Sequence, residues 1–237
     1  MKKVAKFILL GIFIFLLANN SLFKSDNGKY SIKENLKNKI SSNTPNYVEI
    51  DKIPQDLKNA IISTEDKRFF RHYGFDIVGI GRAFITNIRK GEIKQGGSTI
   101  TQQLAKNLFL SDEKSYVRKF KELVLAIKLE AKYTKEEILE MYLNVIYYGE
   151  GAYGIENASL KFFNKHVWEL SLEECAMLAG LPQAPSKYNP NKNFYRAKKR
   201  QEVVLKTMYK NGFINKKTME KLKNKTATFA NHIYVAY

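Results

Sequence analysis

Ile62-Ser63-Thr64-Glu65-Asp66-Lys67-Arg68-Phe69-Phe70-Arg71-His72-Tyr73-Gly74 closes an apolar run on two adjacent carboxylates and follows them at once with bases and aromatics. Leu57, Ala60 and Ile61 upstream recur at helical spacing, so the carboxylates stand at the end of an amphipathic helix that Pro54 opens. A carboxylate beside an apolar wall is disfavoured in its charged form, which moves its pKa toward that of a working general acid or base. Either Phe69 or Phe70 is expected to supply that wall. A blander possibility is a helix-end carboxylate in a surface ion pair with Lys67 or Arg68.

Working outward, the same helical period dominates the chain. Asp76 is expected to cap a helix from Ile77 to Lys90 that carries Arg82, with Gly91 as its stop. The loop Gly91 to Gly97 follows, and Ser98 is expected to cap a helix through Asn107. Gln102 and Lys106 share one face of that helix. From about Tyr116 to Tyr133 a further helix turns apolar nearly all round in its second half, which predicts burial. Arg118 and Glu122 lie four apart on it, and Glu122 sits where the helix becomes apolar. Thr134-Lys135-Glu136-Glu137 and Ser171-Leu172-Glu173-Glu174 spell capping boxes, each opening a helix. Asn144 to Gly154 reads as an aromatic, Gly-rich loop. Basic helices are expected from about Phe194 to Asn211 and around Lys216 to Leu222, followed by an extended tail from 226 to 237. Strands are almost absent, apart from a short one expected near Tyr47 to Ile50. The fold class is therefore mainly α.

Composition sets outer limits. The 237 residues include 44% apolar types, enough for one core. Lys and Arg number 40 against 23 Asp and Glu, a net +17 that seeks anions: lipid headgroups, pyrophosphates or nucleic acid. The single Cys175 excludes an internal disulfide and a multi-cysteine metal site. At the N-terminus, Lys2, Lys3 and Lys6 precede an uncharged run from Phe7 to Phe23 with no convincing cleavage site. Residues 1–23 are expected to form an uncleaved signal anchor, with the basic end in the cytoplasm and the folded part on the outer face of the inner membrane. Residues 24–49 read as a polar tether.

Five motifs then occur in order. Glu65-Asp66-x-x-Phe69-x-x-His72-x-Gly74 is followed by Gly97-Ser98-Thr99-Ile100-Thr101-Gln102-Gln103 and by Arg118-Lys119-x-x-Glu122. Next come Ile138-Leu139-Glu140-x-Tyr142-Leu143-Asn144, with Tyr147 and Gly149, and Leu181-Pro182-Gln183-Ala184-Pro185, with Tyr188-Asn189-Pro190. Together they resemble glycosyltransferase family 51, the peptidoglycan glycosyltransferases, over residues 50–225. The resemblance implies a lysozyme-like catalytic domain with a small membrane-proximal jaw lobe. The implied reaction transfers a growing undecaprenyl-pyrophosphate-linked glycan to the sugar hydroxyl of lipid II, with inversion, and releases undecaprenyl pyrophosphate.

By that resemblance Glu65 is the general base for the acceptor hydroxyl, and Glu122 is a second essential carboxylate beside the donor pyrophosphate. The leaving group is anionic, so cations and donors must meet its charge. Arg82, Ser98, Gln102, Lys106, Lys114, Arg118 and Lys119 are the candidates. Lys114 stands where the family often has Arg, which loses a bidentate phosphate fork. Asp66, Phe69, His72 and Gly74 are expected to support the first motif. A divalent cation, Mg or Mn, is an open possibility at Glu122. The implied partners are lipid II, the growing strand, the membrane and other cell-wall synthesis or division proteins.

Ser111-Asp112-Glu113-Lys114 spells the Ser-x-x-Lys of a transpeptidase, but there is no Lys-Thr-Gly, and the match is read as chance. The tail resembles the lead into the second domain of bifunctional relatives, and a monofunctional enzyme is the preferred expectation over the front piece of a longer one. The rivals are a lysozyme-like lytic enzyme that cleaves glycan, a non-catalytic anchored scaffold, and a nucleic-acid binder. No nucleic-acid motif supports the last.

Overall fold

The computed structural model describes residues 32–90, 97–110 and 115–224. Among these the chain is helical: α1 (Leu36–Asn43), α2 (Gln55–Glu65), α3 (Ile77–Lys90), α4 (Ile100–Phe109), α5 (Tyr116–Glu130), α6 (Lys135–Val145), α7 (Ile155–Phe163), α8 (Leu172–Gly180), α9 (Phe194–Lys210) and α10 (Lys216–Asn224). A two-stranded antiparallel hairpin, β1 (Tyr147–Gly149) and β2 (Ala152–Tyr153), lies between α6 and α7. It occupies the stretch expected to be a loop. The described residues from Glu34 onward belong to one unit. No helix among the described residues is long and apolar enough to cross a membrane. The expected anchor at 1–23 and the tail at 226–237 lie outside the described residues.

Two helix groups build the core. Helix α2 packs against α8 and α9, while α4 packs against α5 and α6. Leu57 and Ile61 of α2, Leu104 of α4, Leu125 and Leu129 of α5, and Ile138 and Met141 of α6 are fully buried. Burying a Leu or Ile side chain contributes roughly 1.5–3 kcal/mol before chain entropy is counted. The apolar stripes read from the sequence are the ones that face inward.

Local chemistry sets the helix starts. Thr134 and Ser171 both close the expected capping boxes, with Glu137 and Glu174. Asp76 caps α3, accepting from Gly79 N at 2.9 Å. Helix α4 departs from expectation, because Thr99 rather than Ser98 is the cap. The Thr99 hydroxyl accepts from Gln102 N, and the Gln102 side chain returns to Thr99 N. The Ser/Thr-x-x-Glu/Gln rule selects Thr99, since Ser98 has Thr101 three residues on.

The region expected to be a tether is partly built into the fold. Helix α1 is held by Tyr133, whose hydroxyl accepts from Leu36 N and donates to Glu34 O, and by Lys37 Nζ at 3.0 Å from Glu140. Residues 47–49 are extended without a strand partner. Asn144 of α6 takes the role of a ladder neighbour, accepting from Val48 N and donating to Val48 O. Glu140 accepts from Tyr47 Oη and Ile50 N. Two polar residues of the fourth motif are therefore anchors for the incoming chain.

Candidate functional site

Glu65 is the last residue of α2, so helix geometry delivers its side chain to the junction of the two helix groups. Its side chain is 12% exposed. Gln103 of α4 donates from Nε2 to Glu65 Oε2 at 2.9 Å. The Tyr142 hydroxyl of α6 donates to Gln103 Oε1 at 3.1 Å, which fixes the direction of that amide. Arg200 Nη2 of α9 lies 4.0 Å from Glu65 Oε1. Burial holds the Glu65 carboxyl above the usual glutamate range; Gln103 and Arg200 oppose the rise, and Asp66 adds to it.

The wall around Glu65 differs from expectation. Phe69 is buried but packs edge-on with Phe70 and His72 under the Lys135 ammonium, and Phe70 is exposed. Tyr142 and Tyr148 are the fully buried aromatics that respond to Glu65. Burial first, and the Glu65 charge second, push both phenols well above their usual value. Both therefore stay protonated and uncharged. The Tyr148 hydroxyl is buried with no hydrogen-bond partner among the described residues.

The remaining first-motif residues tie that motif to the second and to α5. Asp66 Oδ2 lies 2.9 Å from His72 Nε2 and accepts from Ile100 N at 3.1 Å, the first amide of α4. A helix N-terminus favours such an anion. Gly74 has φ +88°, and its carbonyl accepts from Thr99 Oγ1 at 2.7 Å. A Cβ there would stand 2.9 Å from Ala126 C and 3.0 Å from Ile127 N, so only glycine lets this turn lie on α5. Asp66, His72 and Gly74 thus contact one another's neighbours in α4 and α5.

The second carboxylate sits in a contrasting setting. Glu122 is 3% exposed on α5. Arg118 Nη1 donates to its Oε2 at 2.9 Å, and Lys119 Nζ donates to its Oε1. Lys119 also donates to Ser98 Oγ at 2.8 Å, which draws the second motif to the third. Ser115 caps α5 by accepting from Arg118 N. Arg118 Nε is buried without a hydrogen-bond partner among the described residues. Ser98, Arg118, Lys119 and Glu122 thus form one cluster.

Other candidates are placed less centrally. Gln102 is buried, and its amide oxygen is spent on Thr99 N, so the capping box takes a side chain expected to face a ligand. Lys106 is half-buried on α4. Arg82 is exposed on α3; with Arg68 it adds to partial burial in holding Lys67 below the usual lysine value. Lys114 lies outside the described residues. Sequence reasoning assigned no part in the site to Gln103, Tyr142 or Arg200. The available signal was Gln102 itself: once the cap claims it, Gln103 is the amide left to project elsewhere.

The residues present do not fit a preformed divalent-cation site. Both Glu122 oxygens are taken by cationic side chains, and no group of three or more His, Cys, Asp or Glu side chains gathers among the described residues.

A model of the transglycosylase family matches residues 33–209. The chain is 52% identical over 199 residues to penicillin-binding protein 1A of Aquifex aeolicus, covering 84% of this chain and 27% of that protein. It is 51% identical over 168 residues to penicillin-binding protein 1A of Neisseria flavescens, covering 71% and 21%. It thus spans about a quarter of the length of these relatives. The solved structure of penicillin-binding protein 1A from Haemophilus influenzae is 25% identical and covers 76% of this chain and 17% of that one; its TM-score of 0.45 is too low to bear on the fold. With the match running from residue 33 to residue 209, the chain belongs to the transglycosylase family, glycosyltransferase family 51.

Proposed function

We propose that the chain polymerises lipid II into peptidoglycan glycan strands at the membrane surface. In this reading Glu65 is the general base. Its Oε1 receives no hydrogen bond from the described residues, so a lone pair is open to the acceptor hydroxyl. The hydroxyl oxygen attacks the anomeric carbon of the growing strand, its proton passes to Glu65 Oε1, and the bond to the pyrophosphate breaks on the opposite face. One attack from the face opposite the leaving group inverts the anomeric centre.

The observation that carries the proposal is the contrast between the two buried glutamates. Glu65 meets a neutral amide at one oxygen and only a distant cation at the other, and burial raises its pKa toward a base's working range. Glu122 lies between Arg118 and Lys119, which supports a role as the organiser of two cations rather than as the base. Those cations, with Ser98 and the unpartnered Arg118 Nε, suit an anionic leaving group. A hydrolase has no such need.

Incubation of the full-length chain with purified lipid II in detergent tests the reading. Growth of glycan strands with release of undecaprenyl pyrophosphate is expected. Shortening of preformed glycan without any polymerisation would establish the lytic alternative instead.

A further inference from the structure

Arg200 has no part in the five-motif reading, yet among the described residues it is the cation at Glu65 Oε1, 4.0 Å away. That separation is too long for a hydrogen bond and short enough for a strong electrostatic effect inside a protein. The side chain is held from three directions. Its Nε donates to Gly180 O at 3.2 Å, its guanidinium lies 5.6 Å from the Tyr188 ring centroid, and its stem runs against Gly180. A Cβ on Gly180 would come 2.8 Å from Arg200 Cγ, so the glycine makes room for this path. The Arg200 side chain is 11% exposed, and Glu65 is the acidic group that favours its charge.

Such a placement differs from an ordinary buried ion pair. Arg118 hydrogen-bonds Glu122 at 2.9 Å and thereby occupies the oxygen. Arg200 acts on Glu65 from a distance and leaves the Oε1 lone pair open. At the other oxygen, the Gln103 amide donates an N–H to Oε2 while its own oxygen accepts from Tyr142. The two oxygens of Glu65 are therefore inequivalent: Oε2 is held as an acceptor, and Oε1 is electrostatically supported but unoccupied.

We infer that Arg200 is a positioning residue for the transfer reaction: anchored by Gly180 and Tyr188, it favours the charged carboxylate of Glu65 from a distance and leaves Oε1 as the oxygen that takes the acceptor proton. This inference rests on Glu65 being the base. The groups that bear on Glu65 are Asp66 beside it, Gln103 from α4, Tyr142 from α6, Tyr148 from β1 and Arg200 from α9. Of these, Arg200 alone is a cation. Burial and Asp66 favour the neutral carboxyl, and both phenols stay neutral, so loss of Arg200 must move Glu65 toward protonation.

The test is the pH dependence of lipid II polymerisation by the full-length chain. Arg200→Gln is expected to move the acidic limb of kcat/KM upward by about one pH unit or more, the effect of losing a neighbouring opposite charge. The rate should fall about tenfold per unit below the new limb, with KM for lipid II little changed. Arg200→Lys should return the limb toward the wild-type position. Arg200→Met leaves no buried polar group and carries the same expectation if the glutamine variant does not fold. A uniform loss of kcat at every pH with the limb in place would overturn the inference and mark Arg200 as structural. A rise in KM with the limb in place would also overturn it and assign Arg200 to substrate binding. Full activity of Glu65→Gln would instead overturn the base reading, and this inference with it.

Discussion

Gln103 donates to Glu65 across 2.9 Å, joining the second motif to the first through a neutral amide rather than a charge. A neutral donor steadies a carboxylate without pinning it as an ion, which suits the base role proposed for Glu65. Tyr142 holds the far end of that amide through a second hydrogen bond.

Gln103→Met removes this hydrogen bond while keeping most of the volume. A hydrogen bond to a charged group contributes about 1.5–3 kcal/mol, so kcat should fall by about tenfold or more. The acidic limb should move upward, because the lost bond favoured the ionised form. Steady-state polymerisation rates across pH 5 to 9 check both effects.

Glu65→Gln should make the folded chain more stable near neutral pH. The folded-state pKa of Glu65 is raised by burial, so the ionised carboxylate is less welcome folded than unfolded. The stability conferred by neutral Glu65 is fully present below the unfolded value of about 4.3 and is lost as pH rises through the folded value. The variant should therefore have a higher Tm than wild type at pH 7.5, and the difference should vanish near pH 4. Thermal unfolding at the two pH values measures it.

Gly74→Ala tests the junction of the first two motifs with α5. A left-handed backbone costs a non-glycine residue roughly 1–2 kcal/mol, and a Cβ pressed on the backbone of α5 adds about 1–3 kcal/mol. The sum, about 2–5 kcal/mol, should appear in urea denaturation as a lower midpoint with an unchanged slope.

Much of the scaffold was legible because its determinants are local. The capping boxes at Thr134 and Ser171, and the cap at Asp76, join residues three apart, and the apolar stripes repeat within each helix. Glu65 and Glu122 stood out because carboxylates on apolar faces are rare without cause. What surrounds them was not legible in the same way. Gln103 and Arg200 reach Glu65 from other helices, 38 and 135 residues on (103 − 65 and 200 − 65). Tyr142 read as part of an apolar stripe, since nothing local reveals where its hydroxyl points. Helix α1 escaped notice for the same reason: its own sequence is polar, and Tyr133 and Glu140, about a hundred residues away, hold it in place. Ser98 and Thr99 are neighbouring hydroxyls, and only the partner three residues on separates cap from cluster member.

Glu122→Gln separates structural from electrostatic roles in the second cluster. Arg118 and Lys119 are 19% and 45% exposed, so water can compensate for their lost partner, and Tm should stay close to wild type. Polymerisation should fall by about 100-fold or more as the two cations lose their organiser. Because both Glu122 oxygens are already occupied, EDTA should leave the wild-type rate unchanged. Initial rates with and without chelator, alongside melting curves, check all three outcomes.

The most direct measurement is lipid II polymerisation by the full-length chain and its Glu65→Gln variant at one pH above the acidic limb. Wild type should build glycan strands and release undecaprenyl pyrophosphate. The variant keeps its shape and its Gln103 neighbour but has no base, and its rate should fall by about 100- to 10,000-fold. A variant that polymerises within a few-fold of wild type would contradict the assignment of Glu65 as the group that takes the acceptor proton.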